Sequence, residues 1–218
     1  MNELIEKLIQ DGYLRTPLII GAFKNIKRED FVPEDLKGEA DINAPLPIGF
    51  GQTISQPLTV AFMLELLQPQ PGEKILDIGA GSGWQTALLA YCVSHQGKLG
   101  KVFAVERIPE LVEFGKKNIS KYNFLAPYRT EGSGSGVEKG IVEFICGDGS
   151  EGLRKEAPFD KIICAASAEK IPEEWKKQLK IDGRIVTPIK DSVWLFIKKS
   201  DTDFEKIEYP GFAFVPLI

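Results

Sequence analysis

From residue 74 onward, short apolar runs alternate with stretches of helical periodicity. The runs are 74–79 (KILDIG), 101–106 (KVFAVE), 141–147 (IVEFICG), 161–166 (KIICAA) and 184–189 (RIVTPI). They are nearly continuous in apolar character, as strands are when helices cover both faces of a parallel sheet. Helical segments fall between them at 84–95, 109–122, about 150–155 and 172–179. This order of elements predicts an α/β fold, a Rossmann-like doubly wound sheet that is mostly parallel, with right-handed crossovers. After residue 190 the helical segments stop. There, 192–200 (SVWLFIKKS) and 211–217 (GFAFVPL) read as two more strands, antiparallel at one edge.

Two helices precede any core strand. Leu4, Ile5, Leu8 and Ile9 recur at helical spacing over residues 3–10, with Asn2 as N-cap, and Thr16-Pro17 opens a second helix. Residues 30–54 are irregular yet apolar, and the part reading DINAPLPIGFGQTIS is too long for an idle linker. Pro57 opens a helix over 57–67. The reading therefore assigns 1–56 to N-terminal helices and a covering loop within one domain, and 57–218 to the core with its edge strands. One connection is out of proportion. Residues 126–140 (APYRTEGSGSGVEKG) hold four glycines and two serines. They read as a tolerated flexible insertion at the end of the sheet away from the ligand crevice, with a partner-binding loop as the alternative.

Composition narrows the function. The 218 residues carry 27 Lys and Arg against 31 Asp and Glu, a net charge of −4. A chain held to nucleic acid by general electrostatics usually shows the opposite excess. No apolar run is long enough to span a bilayer, and MNELIEKLIQDG is amphipathic and acidic rather than a leader, so no membrane role and a cytoplasmic location are expected. Cys92, Cys146 and Cys164 stand far apart among apolar neighbours, so they read as buried small hydrophobes and not as metal ligands. The single histidine, His95, sits at the polar end of a helix, which removes most histidine-based chemistry.

The chemistry concentrates at the carboxyl ends of the first three core strands. LDIGAGSGW places Gly79, Gly81 and Gly83 between a strand and a helix, the geometry in which a ligand approaches backbone closely and an anion meets free amides. Asp77 precedes the glycines, Glu106 ends the second strand, and Asp148 ends the third in ICGDG. Each acid alone could be a solvated strand end. Together they describe a nucleoside site, with Glu106 accepting ribose hydroxyls and Asp148 the adenine amine. An acid beside the glycines suits an ammonium or sulfonium better than a phosphate. This points to S-adenosylmethionine, its amine near Asp77 and its carboxylate near the glycine loop and helix start.

The segments FVPEDL, PLPIGFGQTISQP, ILDIGAGSGWQTALLA, VFAVERIPELVEFGKKN, EFICGDGSEG, PFDKII, QLKIDGRIVTPI and FVPL run over nearly the whole chain. Together they resemble the protein-L-isoaspartate (D-aspartate) O-methyltransferases, whose own signature is the PLPIGFGQTISQP stretch. The resemblance implies a class I methyltransferase fold. It implies methyl transfer from S-adenosylmethionine, leaving S-adenosylhomocysteine, to the free α-carboxylate of isoaspartyl residues in damaged proteins and peptides. The ester then cyclises without the enzyme, and hydrolysis returns some normal aspartate. No metal is implied, and a monomer is the default expectation.

By the same resemblance, Thr53, Ile54 and Ser55 line the join between cofactor and substrate, and Ser55 takes the active-site serine position. Asn43 matches the position, Asp or Asn in the family, ahead of the PIG segment. Asp77, Gly79, Ala80, Gly81, Gly83, Glu106, Arg107, Asp148 and Gly149 fall in the cofactor motifs. Val215, Pro216 and Leu217 resemble the strand that pairs with the peptide through its backbone, with Val215 and Leu217 as substrate contacts. The chain departs from the family pattern after Pro188, where IKDSVWLF is shorter than the usual hairpin, and at Val60, where some members have a histidine.

An α-carboxylate is ionised at neutral pH, so it needs no general base. Ser55 and Thr53 would orient it, and Ser55 could also cap the helix opened by Pro57. Two rivals share parts of this pattern. One is a class I methyltransferase for a small molecule or RNA, although AASAEK replaces the Asn/Asp-Pro-Pro-aromatic segment of amine methylases. The other is a non-catalytic cofactor-binding protein.

Overall fold

The computed structural model describes residues 3–125 and 140–217. The Asn2 cap and the inserted connection at 126–139 lie outside the described residues. Helices α1 (Glu3–Gln10) and α2 (Pro17–Asn25) are followed by two 3-10 turns over Arg28–Phe31 and Glu34–Glu39. A small hairpin of β1 (Leu46–Gly49) and β2 (Gln52–Ile54) then leads into α3 (Pro57–Leu67). The stretch expected to be irregular thus contains a two-stranded antiparallel sheet, with Leu46 opposite Ile54 and Pro47 opposite Thr53. The proline-rich sequence hid it, because proline is depleted in strands and is tolerated here only on short edge strands.

The core runs β3 (Lys74–Ile78), α4 (Trp84–Val93), β4 (Lys101–Glu106), α5 (Pro109–Ile119), β5 (Val142–Cys146), β6 (Phe159–Cys164) and α6 (Glu173–Gln178). It closes with β7 (Leu179–Ile189), β8 (Ser192–Lys198) and β9 (Phe204–Pro210). The seven strands lie in the order β5-β4-β3-β6-β7-β8-β9. Pairings from β5 through β7 are parallel, and β8 and β9 join antiparallel. The chain leaves β3 toward β4 on one side and returns to β6 on the other, so the switch point that binds ligands in such sheets lies between β3 and its neighbours.

The edge differs from expectation. The outermost strand is Phe204–Pro210, and 211–217 is not a sheet strand. The alternation in FEKIEYP is masked by charges on an exposed edge, a pattern that protects a sheet margin from pairing with other chains. The terminal segment instead crosses back over the carboxyl ends of the strands. There the Ser167 N–H donates to the Val215 carbonyl at 2.8 Å and the Leu217 N–H donates to the Ser167 carbonyl at 2.8 Å.

Strand pleating sorts the core onto two faces. Ile75, Ala104 and Ile163 belong to one buried cluster with α1, α2, α3 and α4, while Leu76, Phe103 and Ile162 join Trp175 and Leu179 on the other. Helix α4 is apolar all round and almost wholly buried, as expected of a helix wedged between the sheet and α2. Ile5, Leu8 and Ile19 of the first two helices share its cluster. Their connection is fixed by Glu65 of α3, which accepts the backbone N–H groups of Arg15 and Thr16 and the Thr16 hydroxyl, at 2.8, 2.8 and 2.7 Å. Of the three cysteines, Cys92 and Cys164 are buried and Cys146 is exposed, contrary to its expected burial. Cys146 is the last residue of β5, on the sheet's other margin, where few elements cover it.

Candidate active site

An open crevice of about 650 Å³ runs across the carboxyl ends of β3, β4, β5 and β6. Gly79, Gly81, Glu106, Arg107, Gly147 and Gly149 line it from the sheet. Ile48, Gln52 and Thr53 cover it from the hairpin, and Val215, Pro216 and Leu217 from the terminal segment. A second opening of about 730 Å³ is walled by Pro45, Thr53, Ser55, Gln56, Thr59, Ala165, Phe214 and Val215. Between them a smaller pocket of about 320 Å³ touches Thr53, Ile54, Ser55, Ala80, Gly81, Trp84 and Gln85. Thr53 and Ala165 border all three. The site is therefore two chambers that meet beside Thr53 and Ser55.

The glycine loop is built for shape rather than for phosphate. Gly79 and Gly81 have φ of 75° and 53°, which turns the chain sharply from β3 into α4. The amides of Gly79 and Ala80 donate to the Val105 carbonyl at 2.9 and 3.2 Å, and the Gly81 amide donates to Glu106 Oε2 at 2.9 Å. These loop amides are already engaged within the protein, so the loop does not cradle a pyrophosphate. The first helical bond of α4 runs from the Ala87 N–H to the Gly83 carbonyl at 2.9 Å. The amides of its first turn have no intrahelical acceptor and favour an anion next to the joining pocket.

Glu106 is buried at the end of β4 and lines the crevice. Its Oε1 accepts the Ile108 N–H at 3.0 Å while Oε2 holds Gly81, which fixes the carboxylate and leaves each oxygen a further lone pair for two vicinal hydroxyls. Asp148 is exposed and caps the following 3-10 turn through the Ser150 N–H at 2.8 Å. Its neighbours Gly147 and Gly149 line the crevice, and Asp148 stands at its margin without lining it. Beside it, Gly149 has no alternative, because a Cβ there would meet Ile78 Cγ2 at 2.4 Å. The fully buried Trp175 indole donates to the Gly149 carbonyl at 2.8 Å and sets the turn from below. This donor set of carboxylates, hydroxyls and helix-start amides, without a phosphate cradle, fits a nucleoside bearing a charged amino-acid tail.

Several expected residues take other roles. Asp77 does not reach the crevice: it is fully buried, with Oδ1 accepting from Gln85 Nε2 at 2.7 Å and Oδ2 from Thr86 Oγ1 at 2.6 Å. It lies on the α4 face of β3 and ties the start of that helix to the strand. Burial pushes its carboxyl up to about 6, with the Glu106 charge adding to the shift and the two hydrogen bonds opposing it. Gly83, at φ 86°, lets α4 approach Ile119 and Gly115 of α5 and does not line the site. Ser55 does not cap α3. Asn43 does so from the preceding loop, its Oδ1 accepting the Leu58 N–H at 3.0 Å. Among the described residues nothing engages the Ser55 hydroxyl, so it stands free at the junction. Val215 and Leu217 line the crevice, but the Val215 carbonyl and the Leu217 N–H are taken by Ser167.

Sequence reasoning missed Ile48, Gln52, Gly147, Ala165 and Phe214. Gly147 and the Ala165–Ala166 pair were visible as small residues at strand ends. Ile48 and Phe214 carry no chemical signal and reach the site only through chain packing.

A family profile of protein-L-isoaspartate(D-aspartate) O-methyltransferases matches residues 1–218. A protein-L-isoaspartate O-methyltransferase of Methanopyrus kandleri is 41% identical over 221 residues, covering 100% of this chain and 90% of its own. One of Aeropyrum pernix is 44% identical over 186 residues, 85% of this chain and 65% of its own. A Plasmodium falciparum chain, described as a protein-L-isoaspartate O-methyltransferase in complex with S-adenosyl-L-homocysteine, superposes with a TM-score of 0.83. At 24% identity, over 100% of this chain and 97% of that one, it speaks for the shared fold alone. The glycine loop, the acids at the strand ends and the hairpin that carries TISQP are thus found in a chain that belongs to the protein-L-isoaspartate(D-aspartate) O-methyltransferase family.

Proposed function

We propose that the crevice holds S-adenosylmethionine and that the neighbouring opening receives an isoaspartyl residue of a damaged protein, whose α-carboxylate is methylated at the junction. The observation that carries this reading is the meeting of the two chambers at Thr53 and Ser55, with the Ser55 hydroxyl unengaged. Glu106 and Asp148 would hold the nucleoside, and the first turn of α4 the amino-acid carboxylate. Bound there, the cofactor supplies an electrophilic methyl group on sulfur.

The chain's part is placement. No histidine lines the crevice among the described residues, and none is needed, because the acceptor carboxylate is already ionised at neutral pH. Ser55 donates a hydrogen bond to one carboxylate oxygen and leaves the other aimed at the joining pocket. Thr53 and Ala165 narrow the passage, which excludes water from the approach. Orientation of this kind can lower a barrier by about 7–11 kcal/mol. A strong bond to the attacking oxygen would stabilise the ground state as well, since negative charge falls during transfer. The serine is therefore an orienting group.

The acidic net charge supports a role apart from nucleic acid. No helix among the described residues is long and apolar enough to cross a membrane. Three free cysteines suit the reducing cytoplasm that we propose as its setting. For the peptide, Phe214 offers an N–H and a carbonyl and Pro216, which has no N–H, a carbonyl alone, since their neighbours are tied to Ser167. The test is Ser55→Ala: kcat with an isoaspartyl peptide should fall ~10- to 100-fold, as for loss of a positioning contact. Full retention of kcat would remove Ser55 from this role.

A further inference from the structure

We propose that Arg28 is a positioning residue for methyl transfer, holding the Ser55 segment in register with the loop that frames the acceptor opening. The inference rests on the methyl-transfer reading above. Arg28 opens the 3-10 turn after α2 and is 6% exposed. Its Nη1 donates to the carbonyls of Ala40 and Ile42 at 2.9 and 3.2 Å. Its Nη2 donates to the carbonyls of Ala44 and Ser55 at 2.8 and 3.1 Å. One guanidinium thus joins four carbonyls, three from the 40–44 loop and one from Ser55, across the open end of the paired β1–β2 hairpin. Those segments carry Asn43 and Pro45 on one side and Thr53 and Ser55 on the other.

The choice of residue is informative. A buried cation is a poor source of stability, because an apolar side chain of similar volume is usually as good or better. Only arginine offers a planar fork of five donors, and lysine cannot bridge two segments with the same geometry. Burial lowers the Arg28 pKa to about 10, with Asp41 opposing the shift, so it stays charged at neutral pH. The guanidinium carbon also lies 5.4 Å from the centre of the Trp84 ring. Trp84 in turn lines the joining pocket with Ser55 and Gly81. Phe31, fully buried at the end of the same turn, anchors it against movement. The arrangement acts on the Ser55 main chain, not on the reacting atoms. Its loss should tilt the hydroxyl while leaving the nucleoside contacts at Glu106 and Asp148 in place.

The experiment compares wild type, Arg28→Lys and Arg28→Ala in methyl transfer to an isoaspartyl peptide, with S-adenosylhomocysteine affinity measured calorimetrically on the same preparations. Both variants should lose ~10- to 100-fold in kcat, the scale of a misplaced catalytic group. Their affinity for S-adenosylhomocysteine should stay near wild type. Added methylguanidinium should restore part of the kcat of Arg28→Ala and none of that of Arg28→Lys, where the ammonium fills the space. Wild-type kcat in Arg28→Lys would overturn the proposal. So would a parallel loss of kcat and S-adenosylhomocysteine affinity without methylguanidinium rescue, the result of a purely structural staple. If Arg28→Ala does not fold, the split between kcat and affinity in Arg28→Lys decides. Absence of transfer by the wild-type chain would overturn the underlying reading first, before any substitution.

Discussion

Asp77 shows how one residue type can be read correctly as important and wrongly as a ligand. Its carboxylate is engaged by Gln85 and Thr86, residues of α4 that share its face of the sheet. Its carboxyl is raised from 3.8 to about 6, so the folded state favours the protonated form. Its contribution to stability is therefore full below pH 4 and is lost as pH rises through about 6, a change on the order of 3 kcal/mol. In Asp77→Asn the amide oxygen can accept from Gln85 and the amide NH₂ can donate to the Thr86 hydroxyl. Asp77→Asn should then lack the fall in urea stability that the wild type shows as pH rises from 4 to 6, and at pH 7 the variant should be no less stable. An unchanged slope would place the titrating group elsewhere. Asn43 gives a second residue-scale contrast. As a surrogate cap its loss in Asn43→Ala should cost about 1 kcal/mol, whereas Asn43→Asp keeps the acceptor, gains from the helix dipole and should retain peptide KM. A raised KM in Asn43→Asp would make Asn43 a contact of the acceptor carboxylate instead.

The elements follow from apolar pattern and punctuation where both are strong. Pro17, Pro57 and Pro109 each stand at the first position of a helix, and the five parallel strands fall within a few residues of the apolar runs. The pattern failed where tertiary pairing overrode local preference. The hairpin at 46–54 is rich in proline and glycine, and β9 is rich in charge. Neither signals a strand by composition, yet each pairs because a neighbour offers an edge. The turn at Gly149 allows an element-scale prediction. In Gly149→Ala the new Cβ must displace Ile78 or move the turn, so S-adenosylhomocysteine affinity should fall ~10-fold or more, the scale of a ~1.4 kcal/mol perturbation. Calorimetric titration checks it, and wild-type affinity would mean that the turn does not hold the nucleoside.

At the scale of the whole molecule, the sheet supplies the crevice, and the β1–β2 hairpin and the 215–217 segment supply its cover. Gly79, Gly81, Glu106 and Gly149 were legible as crevice residues because backbone geometry constrains them, whereas Asp77 and Gly83 serve the packing of α4. The second opening was legible only through family likeness. Its walls come from residues 45–59 and 213–217, far apart in sequence, and from side chains such as Phe214 that have no chemical signature. The terminal segment also illustrates a limit of strand reading. Residues 215–217 pair with Ser167 and not with β9, so their alternation does not extend the sheet edge.

The most direct test of the account is transfer of labelled methyl from S-adenosylmethionine to an isoaspartyl peptide beside its normal aspartyl twin. The predicted result is base-labile label on the isoaspartyl peptide alone, reduced in Ser55→Ala. Label on both peptides, or on neither while the chain binds S-adenosylhomocysteine, would contradict it.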